Sequence, residues 1–273
     1  MLSAETITVK AGDKALVSNL SLSVKPGEVL ALVGANGAGK STTLKALCGE
    51  IGLAGGGVSL YGRPLGDWDA VDRAKKMAIL PQSSSLTFAL TVEEIVTLGQ
   101  MPFEASMTRA DGRRYIQEAM DWTEIGHLAH RQYPSLSGGE RLRTHLSRVI
   151  AQVLGNGDME GKILLLDEPT SSLDLNHQLR TLEIVRELAE RGVGILAILH
   201  DLNLTMRFAD NVCVLKGGES IALGPTRTVM TTDIIEAAFS LKTRMVEIPD
   251  FPHPTICMVD RITDDSSQTP AAG

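Results

Sequence analysis

The chain has 273 residues, of which 43% are hydrophobic and 22% charged, and its formal net charge is −7. This composition excludes disorder over most of the chain, and the acidic balance argues against a broad nucleic-acid-binding surface, so no nucleic acid partner is expected. The apolar runs are far shorter than the ~20 residues of a transmembrane helix, and charged residues interrupt any N-terminal signal core, so we expect folding in the cytoplasm.

The N-terminal part predicts an antiparallel β subdomain followed by a buried strand. Apolar and polar residues alternate at intervals up to residue 24, which is typical of antiparallel strands with one solvated face. Residues 29–33 are continuously apolar, as in a strand that is covered on both faces. A glycine-rich loop at residues 34–39 and a predicted helix at residues 41–48 follow.

Helices dominate the middle of the chain, after short strands that end at Leu60 and Leu80. Helices are predicted at residues 92–98, 109–122 and 139–153. Ser137 is a suitable N-cap for the last of them, with Glu140 at the capping-box position. We assign an α-helical subdomain to about residues 86–158.

Strands and helices alternate again in the last third of the chain. Strands are predicted at residues 163–166, 195–199, 212–215 and 220–223, and a helix at residues 176–190. This alternation predicts an α/β fold with a mostly parallel sheet, into which the helical subdomain is inserted. One domain is expected over residues 1–240 and a C-terminal tail over residues 241–273, Pro-rich at 249–254, which should fray. We expect buried free thiols at the scattered cysteines, Cys48, Cys213 and Cys257.

A phosphate-binding motif lies between the predicted buried strand and the helix that follows it. Residues 34–41 fit the pattern G-x-x-x-x-G-K-[S/T]. The glycines let backbone N–H groups turn around a phosphate, and the helix start directs its positive dipole end at the same anion. Lys40 supplies charge to the outer phosphates, and the Ser41 hydroxyl can ligate Mg²⁺. The predicted nucleotide-binding residues are Gly34, Ala35, Asn36, Gly37, Ala38, Gly39, Lys40, Ser41 and Thr42.

Two carboxylates follow the predicted strand at residues 163–166, at the end where α/β sheets bind ligands. Asp167 suits Mg²⁺ through its water shell, and Glu168 is placed to act as a general base toward an attacking water. The alternative is a strand-end acid that only caps the next turn. That alternative is less favoured beside a phosphate loop.

A run of motifs in fixed order carries a resemblance to a known family. The stretch before the helix at 139–153 resembles the signature of the ABC transporter ATPases, and consists of Leu136, Ser137, Gly138, Gly139 and Glu140. Gln82 looks like the Q-loop glutamine, Asp174 resembles the D-loop aspartate, and His200 resembles the switch histidine. The resemblance covers roughly residues 4–240, and motifs this numerous and ordered are specific.

The resemblance implies an ABC ATPase fold with a P-loop NTPase core, and ATP and Mg²⁺ as cofactors. Two copies would bind head to tail, so that each ATP contacts Lys40 of one subunit and Ser137 and Gly139 of the other. Catalytic roles are implied for Lys40, Gln82, Glu168 and His200, and Mg²⁺ ligation for Ser41, Gln82 and Asp167. One position departs from the pattern, because Lys10 and Ala11 stand before Gly12 where many relatives have an aromatic residue that stacks on adenine. We therefore expect only a modest preference for ATP over GTP.

The layout of the chain narrows its place in that family. It has no fused membrane segments, one ATPase cassette and no long heptad insert. These features favour an importer subunit that docks on two membrane permease subunits at the cytoplasmic face of the bacterial inner membrane, where a periplasmic binding protein supplies the cargo through the permease. The alternative from another class is a soluble regulatory ATPase without a transport role.

The cargo is suggested by three stretches of sequence. Residues 173–178 and 199–204 resemble the group that imports iron-siderophores, haem and vitamin B12. Residues 153–162 form a longer link than siderophore-type relatives have, as in haemin-import subunits, although a neutral surface insertion would explain it equally well. We expect haem, with ferric siderophore or vitamin B12 as alternatives.

Two further sets of residues invite a functional interpretation. His127 and His130 are three residues apart, and we interpret them as exposed helix residues and not as haem ligands. Four apolar residues after the Q-loop either form a groove for a permease helix or belong to the core of the helical subdomain: Ile95, Leu98, Met101 and Phe103.

Overall fold

The computed structural model describes residues 1–82, 89–250 and 252–261. Its strands are β1 (Leu2–Ala11), β2 (Lys14–Val24), β3 (Val29–Gly34), β4 (Gly55–Leu60), β5 (Arg63–Pro64), β6 (Met77–Leu80), β7 (Ile163–Asp167), β8 (Gly194–Ile198), β9 (Asn211–Lys216), β10 (Glu219–Pro225), β11 (Leu241–Val246) and β12 (Thr255–Arg261). Its helices are α1 (Lys40–Leu47), α2 (Ala70–Lys76), α3 (Val92–Thr97), α4 (Arg109–Trp122), α5 (Gly138–Leu154), α6 (Leu175–Glu190), α7 (Leu202–Phe208), α8 (Thr226–Val229) and α9 (Thr232–Phe239).

The central sheet has the strand order β10-β9-β3-β8-β7-β6. It is parallel from β9 to β6, and β10 pairs antiparallel at one edge. Every residue of β3, β7 and β8 is buried, as their continuous apolar runs predict. Because these three strands are parallel neighbours, their carboxyl ends meet at one edge of the sheet and bring the loops after Gly34, Asp167 and Ile198 together.

A second sheet, antiparallel with the order β2-β1-β4-β5, confirms the predicted N-terminal β subdomain. Its inward side chains, such as Leu2, Ile7 and Leu20, share one apolar core with Leu47 of α1 and Leu32 of β3. A second core joins the other face of the central sheet to the helices α3 to α7. The central sheet is therefore covered on both faces, which holds its strand ends in fixed positions.

The inserted helices follow the predicted pattern, except where one of them ends. The 109–122 helix has the predicted bounds, whereas α3 stops at Thr97 and continues as a 3-10 turn over Leu98–Phe103, which contains Pro102. Proline removes an amide donor and disfavours a continued α-helix. The predicted start of this subdomain near residue 86 lies outside the described residues. Among the described residues, no helix is long and apolar enough to cross a membrane.

The expectation that the tail frays was wrong for residues 241–246 and 255–261. There, β11 and β12 pair as an antiparallel hairpin. The Asn203 side chain in α7 fixes this hairpin, because its amide nitrogen donates to the Ile256 carbonyl (3.1 Å) and its oxygen accepts from the Ile256 N–H (2.7 Å). Cys257 is exposed on β12, contrary to the expectation of a buried thiol, while Cys48 and Cys213 are buried free thiols. The polar end after residue 261 lies outside the described residues.

Candidate nucleotide-binding site

The glycine-rich loop after β3 is a closely packed turn that leads directly into α1. Gly34 has a φ of 153°, and a Cβ there would lie 2.4 Å from the Leu215 carbonyl oxygen. Gly39 has a φ of 101°, and its Cβ would lie 2.8 Å from the Leu16 carbonyl oxygen. Gly37, with a φ of 80°, has open space on the side where a Cβ would point. The loop is therefore packed against neighbouring backbone at Gly34 and Gly39 and is open at Gly37.

The Lys40 ammonium lies inside this loop. Its Nζ donates to the carbonyl oxygens of Gly34 (2.7 Å) and Ala35 (3.1 Å), and the residue is buried. Burial lowers the pKa of Lys40, while the carboxylates of Glu168 and Asp167 act in the opposite direction. A buried cation at the start of a helix is the arrangement that binds a phosphate.

Ser41 and Asp167 meet at the mouth of the loop, where the Ser41 hydroxyl donates to Asp167 Oδ1 over 3.3 Å. Burial raises the pKa of Asp167, and the bond from Ser41 partly offsets this. A hydroxyl and a carboxylate are the hard oxygen donors that Mg²⁺ prefers, with the remaining positions filled by water and phosphate. Among the described residues, no cluster of three or more His, Cys, Asp or Glu could hold a metal ion. The Ser41 hydroxyl and the Asp167 carboxylate are the residues here that could hold Mg²⁺.

Glu168 forms a hydrogen-bonded group with His200 and Gln82. Glu168 Oε1 lies 2.6 Å from His200 Nε2. Burial opposes ionisation of Glu168, but hydrogen bonds from His200 and Gln82 outweigh it and lower the pKa of the carboxyl group. Glu168 also has a φ of 54°, an uncommon backbone conformation for a non-glycine residue. The carboxylate is therefore ionised at neutral pH and positioned by two side chains from other loops.

Apart from the buried Asp167, these groups line one open cleft of about 840 Å³. Of the predicted site residues, the cleft is lined by Asn36, Gly37, Gly39, Lys40, Ser41, Thr42, Gln82, Glu168 and His200. The sequence interpretation missed four other lining residues, Lys14, Ala15, Leu16 and Gly217. Lys10 and Ala11, which stand in place of the adenine-stacking aromatic residue, do not line it. The Gly217-Gly218 pair predicts a hairpin turn from the sequence alone. That this turn reaches the glycine-rich loop is seen in the structure, where the Gly218 N–H donates to the Ala38 carbonyl (3.1 Å).

The signature residues lie outside the cleft. Ser137 caps α5, since its hydroxyl accepts from the Glu140 N–H (3.3 Å) and the Glu140 carboxylate accepts from the Ser137 N–H (2.7 Å). This capping box confirms the predicted helix start. Gly138 and Gly139 pack against Ser172 of the same chain, and Leu136 is buried. A single chain thus does not bring Ser137 to Lys40.

Asp174 is the N-cap of α6, the helix that follows the loop against which the signature packs. Its carboxylate accepts from the His177 N–H (2.9 Å) and contacts His177 Nδ1 (2.9 Å). The next residue, Leu175, is 79% exposed. A single exposed apolar side chain is ordinary on a protein surface, so Leu175 does not by itself indicate an interface.

Comparisons with known proteins agree with this geometry. Residues 17–171 match the family model described as ABC transporter. The chain is 44% identical over 256 residues to the "Hemin import ATP-binding protein HmuV" of Pseudomonas fluorescens (strain Pf0-1), covering 94% of this chain and 99% of that protein. It is 45% identical over 249 residues to the protein of the same name from Gloeobacter violaceus, covering 91% and 90%.

A solved structure shows the same fold. It is the dimeric post-hydrolysis state of the ATP-binding cassette MJ0796 bound to ADP and Pi, with a TM-score of 0.72, 26% identity, and coverage of 83% of this chain and 99% of that one. The matched family model includes the glycine-rich loop and the Asp167–Glu168 pair. The chain therefore belongs to the ABC transporter family and is an ATPase cassette of that family.

Proposed function

We propose that this chain is the ATP-hydrolysing subunit of a bacterial importer of haem. The observation that carries the proposal is the 44% identity to a hemin import ATP-binding protein over nearly the whole of both chains. The aligned part extends far beyond the glycine-rich loop and the carboxylates that any ATPase of this family would share. Ferric siderophore or vitamin B12 remains the alternative cargo.

The chain's own groups support hydrolysis at the cleft. Magnesium, when bound through Ser41 and Asp167, would neutralise phosphate charge. Lys40 would exchange its two loop carbonyls for phosphate oxygens. Glu168 would accept a proton from the attacking water, and His200, 2.6 Å away, would orient it. Gln82 would help to hold the metal and would transmit its presence to the inserted helices.

A second copy of the chain would complete the site. The phosphate loop and Ser137 lie in different places on one chain, so the signature loop of one copy would face the phosphates bound by the other. The N-terminus of α5 offers an anion the same positive dipole end that α1 does. The exposed Leu175 and the D-loop Asp174 would lie at this interface. Dimerisation of the cassette MJ0796 supports this arrangement.

The inserted helices offer a groove for a permease. Of the four apolar residues considered, Ile95 and Phe103 are buried in the core, whereas Leu98 and Met101 are 40% and 62% exposed. Leu98 and Met101 line an open cleft of about 720 Å³. An amphipathic helix of a permease could lay its apolar face there. The chain would then lie at the cytoplasmic face of the inner membrane, bound to two permease subunits. A periplasmic haem-binding protein would deliver the cargo to those permease subunits. The division into a domain over residues 1–240 and a tail remains part of the proposal.

Growth of the source bacterium tests the cargo. A strain lacking this chain would be supplied with haemin or with a ferric siderophore as sole iron source, and complemented with wild type, Glu168→Gln or the exposed charge-matched control Glu183→Gln. We expect failure on haemin alone, restored by wild type and by Glu183→Gln but not by Glu168→Gln. Failure on the siderophore alone would assign the alternative cargo. Normal growth on both would favour the regulatory ATPase.

A further inference from the structure

Lys162 is a buried lysine that the hydrolysis chemistry does not use. It directly precedes β7, the strand that carries Asp167, and only 4% of its surface is exposed. An ammonium group is rarely buried unless a specific set of acceptors holds it, because removal from water is costly. The acceptors of Lys162 therefore indicate what the residue is for.

The Lys162 ammonium contacts two elements of the inserted helices. Its Nζ donates to the Val153 carbonyl over 2.7 Å, in the last turn of α5. A cation is favoured there because the last carbonyls of a helix lack intrahelical partners and carry the negative end of the dipole. The same Nζ lies 4.7 Å from the centre of the Phe103 ring, a cation–π contact.

Gly155 makes room for this arrangement. It ends α5 with a φ of 46°, and a Cβ there would lie 2.6 Å from both Lys162 Nζ and the Phe103 ring. The three groups are thus packed as closely as the backbone permits. We call Val153, Gly155, Lys162 and Phe103 the Lys162 cluster.

The cluster lies between the groove and the catalytic strand. Phe103 is the last residue of the turn Leu98–Phe103, whose Leu98 and Met101 line the groove proposed for the permease. Gln100 in the same turn also donates to the Ala151 carbonyl of α5. On its other side, Lys162 is covalently joined to β7, which runs for about 15 Å through the sheet to Asp167 and Glu168.

We propose that Lys162 is a positioning residue, which fixes the permease-facing turn Leu98–Phe103 against the strand bearing the catalytic carboxylates, so that a permease in the groove alters ATP turnover. This inference rests on the proposed function, since it requires a permease in that groove. The Lys162 side chain contacts the turn through Phe103 and α5 through Val153, and its backbone leads directly into β7. A displacement of the turn by a bound helix therefore reaches the ATPase centre through a closely packed connection.

The charge of Lys162 makes the pH dependence of permease stimulation a test, because a purely structural role would leave that pH dependence unchanged. Burial lowers the pKa of Lys162 to about 8, with Asp158 raising it and Lys76 lowering it further. Below that pH the ammonium holds both the carbonyl and the ring. Above it the neutral amine keeps a donor but loses the attraction to the ring and to the helix dipole. Permease stimulation of the ATPase should therefore fall as pH rises through about 8.

The experiment compares wild type, Lys162→Met, Lys162→Arg and the control Lys76→Met, each reconstituted with its permease in vesicles. For Lys162→Met we expect stimulation by the permease to fall about fivefold or more, with the KM for ATP unchanged and no step near pH 8. Lys162→Arg should restore part of the stimulation because it keeps a cation beside Phe103. Lys76→Met, which removes a neighbouring lysine outside the cluster, should keep the wild-type stimulation at neutral pH, with the step near pH 8 moved upward because Lys76 lowers the pKa of Lys162.

Full permease stimulation in Lys162→Met, or a wild-type pH profile that is flat between pH 7 and 9, would overturn the proposal. A rise in the KM for ATP together with a loss of turnover would show a general defect of the cleft and would count against it as well. The pH profile uses wild-type protein, so the test survives a variant that does not fold. If the chain did not serve a permease at all, the wild-type chain would show no permease stimulation, which distinguishes failure of the proposed transport role from failure of this inference.

Discussion

Replacing Glu168 by glutamine isolates the basicity of the carboxylate from its shape. Glutamine has nearly the same volume and retains an oxygen that can contact His200, which lies 2.6 Å from the native carboxylate. The glycine-rich loop and Lys40 do not depend on Glu168 for their backbone positions. The variant should therefore keep the cleft intact while losing the group that accepts the proton from water.

The expected loss follows from the role assigned to the carboxylate. A positioned general base contributes roughly 10²- to 10⁴-fold, which corresponds to about 3–5 kcal/mol of activation free energy. Binding of ATP should not weaken, because removal of one negative charge from the cleft makes it more favourable for phosphate. Since Glu168 raises the pKa of Lys40, that pKa should fall somewhat further in the variant.

The assay measures ATP turnover together with ATP-dependent dimerisation by gel filtration. We expect turnover at least a hundredfold below wild type, unimpaired ATP binding and an accumulated dimer in the presence of ATP. Glu183→Gln, which removes a charge from the exposed face of α6, is the matched control and should match wild type. Turnover within about tenfold of wild type, with only monomer in ATP, would refute the reasoning.

Three further predictions concern other parts of the molecule. Lys40→Ala should weaken nucleotide binding at least tenfold by calorimetry, because it removes a charge-assisted bond of roughly 1.5–3 kcal/mol, and normal turnover would contradict the phosphate-loop assignment. Ser137→Arg should spare ATP binding by each chain but block hydrolysis, at a cost of about 1 kcal/mol in helix capping; unchanged hydrolysis would show that one chain completes its own site. Burial lowers the pKa of His145 from 6.5 to about 4, so the unfolded state binds more protons between these values and unfolding free energy should fall by about 3 kcal/mol as pH drops across this range. Denaturant titrations should show this slope in wild type and a flatter one in His145→Gln, and equal slopes would contradict it.

Local sequence rules predicted the parts of the site that depend on neighbouring residues. The capping box of Ser137 and Glu140 needs only a spacing of three, and the structure contains both of its bonds. The continuous apolar run of β3 likewise predicts a strand covered on both faces, and the glycine spacing after it predicts the loop around Lys40. Such features follow from backbone geometry over a few residues.

Features that depend on distant contacts could not be predicted in this way. The helical periodicity of apolar residues does not predict that Phe103 is buried and Met101 exposed. The reason is that the α-helix changes to a 3-10 turn between Thr97 and Leu98. Part of the cleft lining comes from β2 and from the hairpin turn at Gly217, whose approach to the loop is a contact between residues far apart in the sequence. The C-terminal hairpin was missed because its prolines suggested a free tail, whereas the pairing of Asn203 with Ile256 holds it in place.

The contacts of Lys40 have a consequence for the thermodynamics of ligand recognition. Its ammonium is already stripped of much of its hydration and held by two carbonyl oxygens of its own loop. A phosphate that enters exchanges these acceptors for its own oxygens, so neither the dehydration of the cation nor the ordering of its long side chain falls within the binding step. The loop is in this sense a preorganised anion receptor. Because a buried charge is poorly screened by salt, its affinity should respond less to ionic strength than that of a surface lysine cluster.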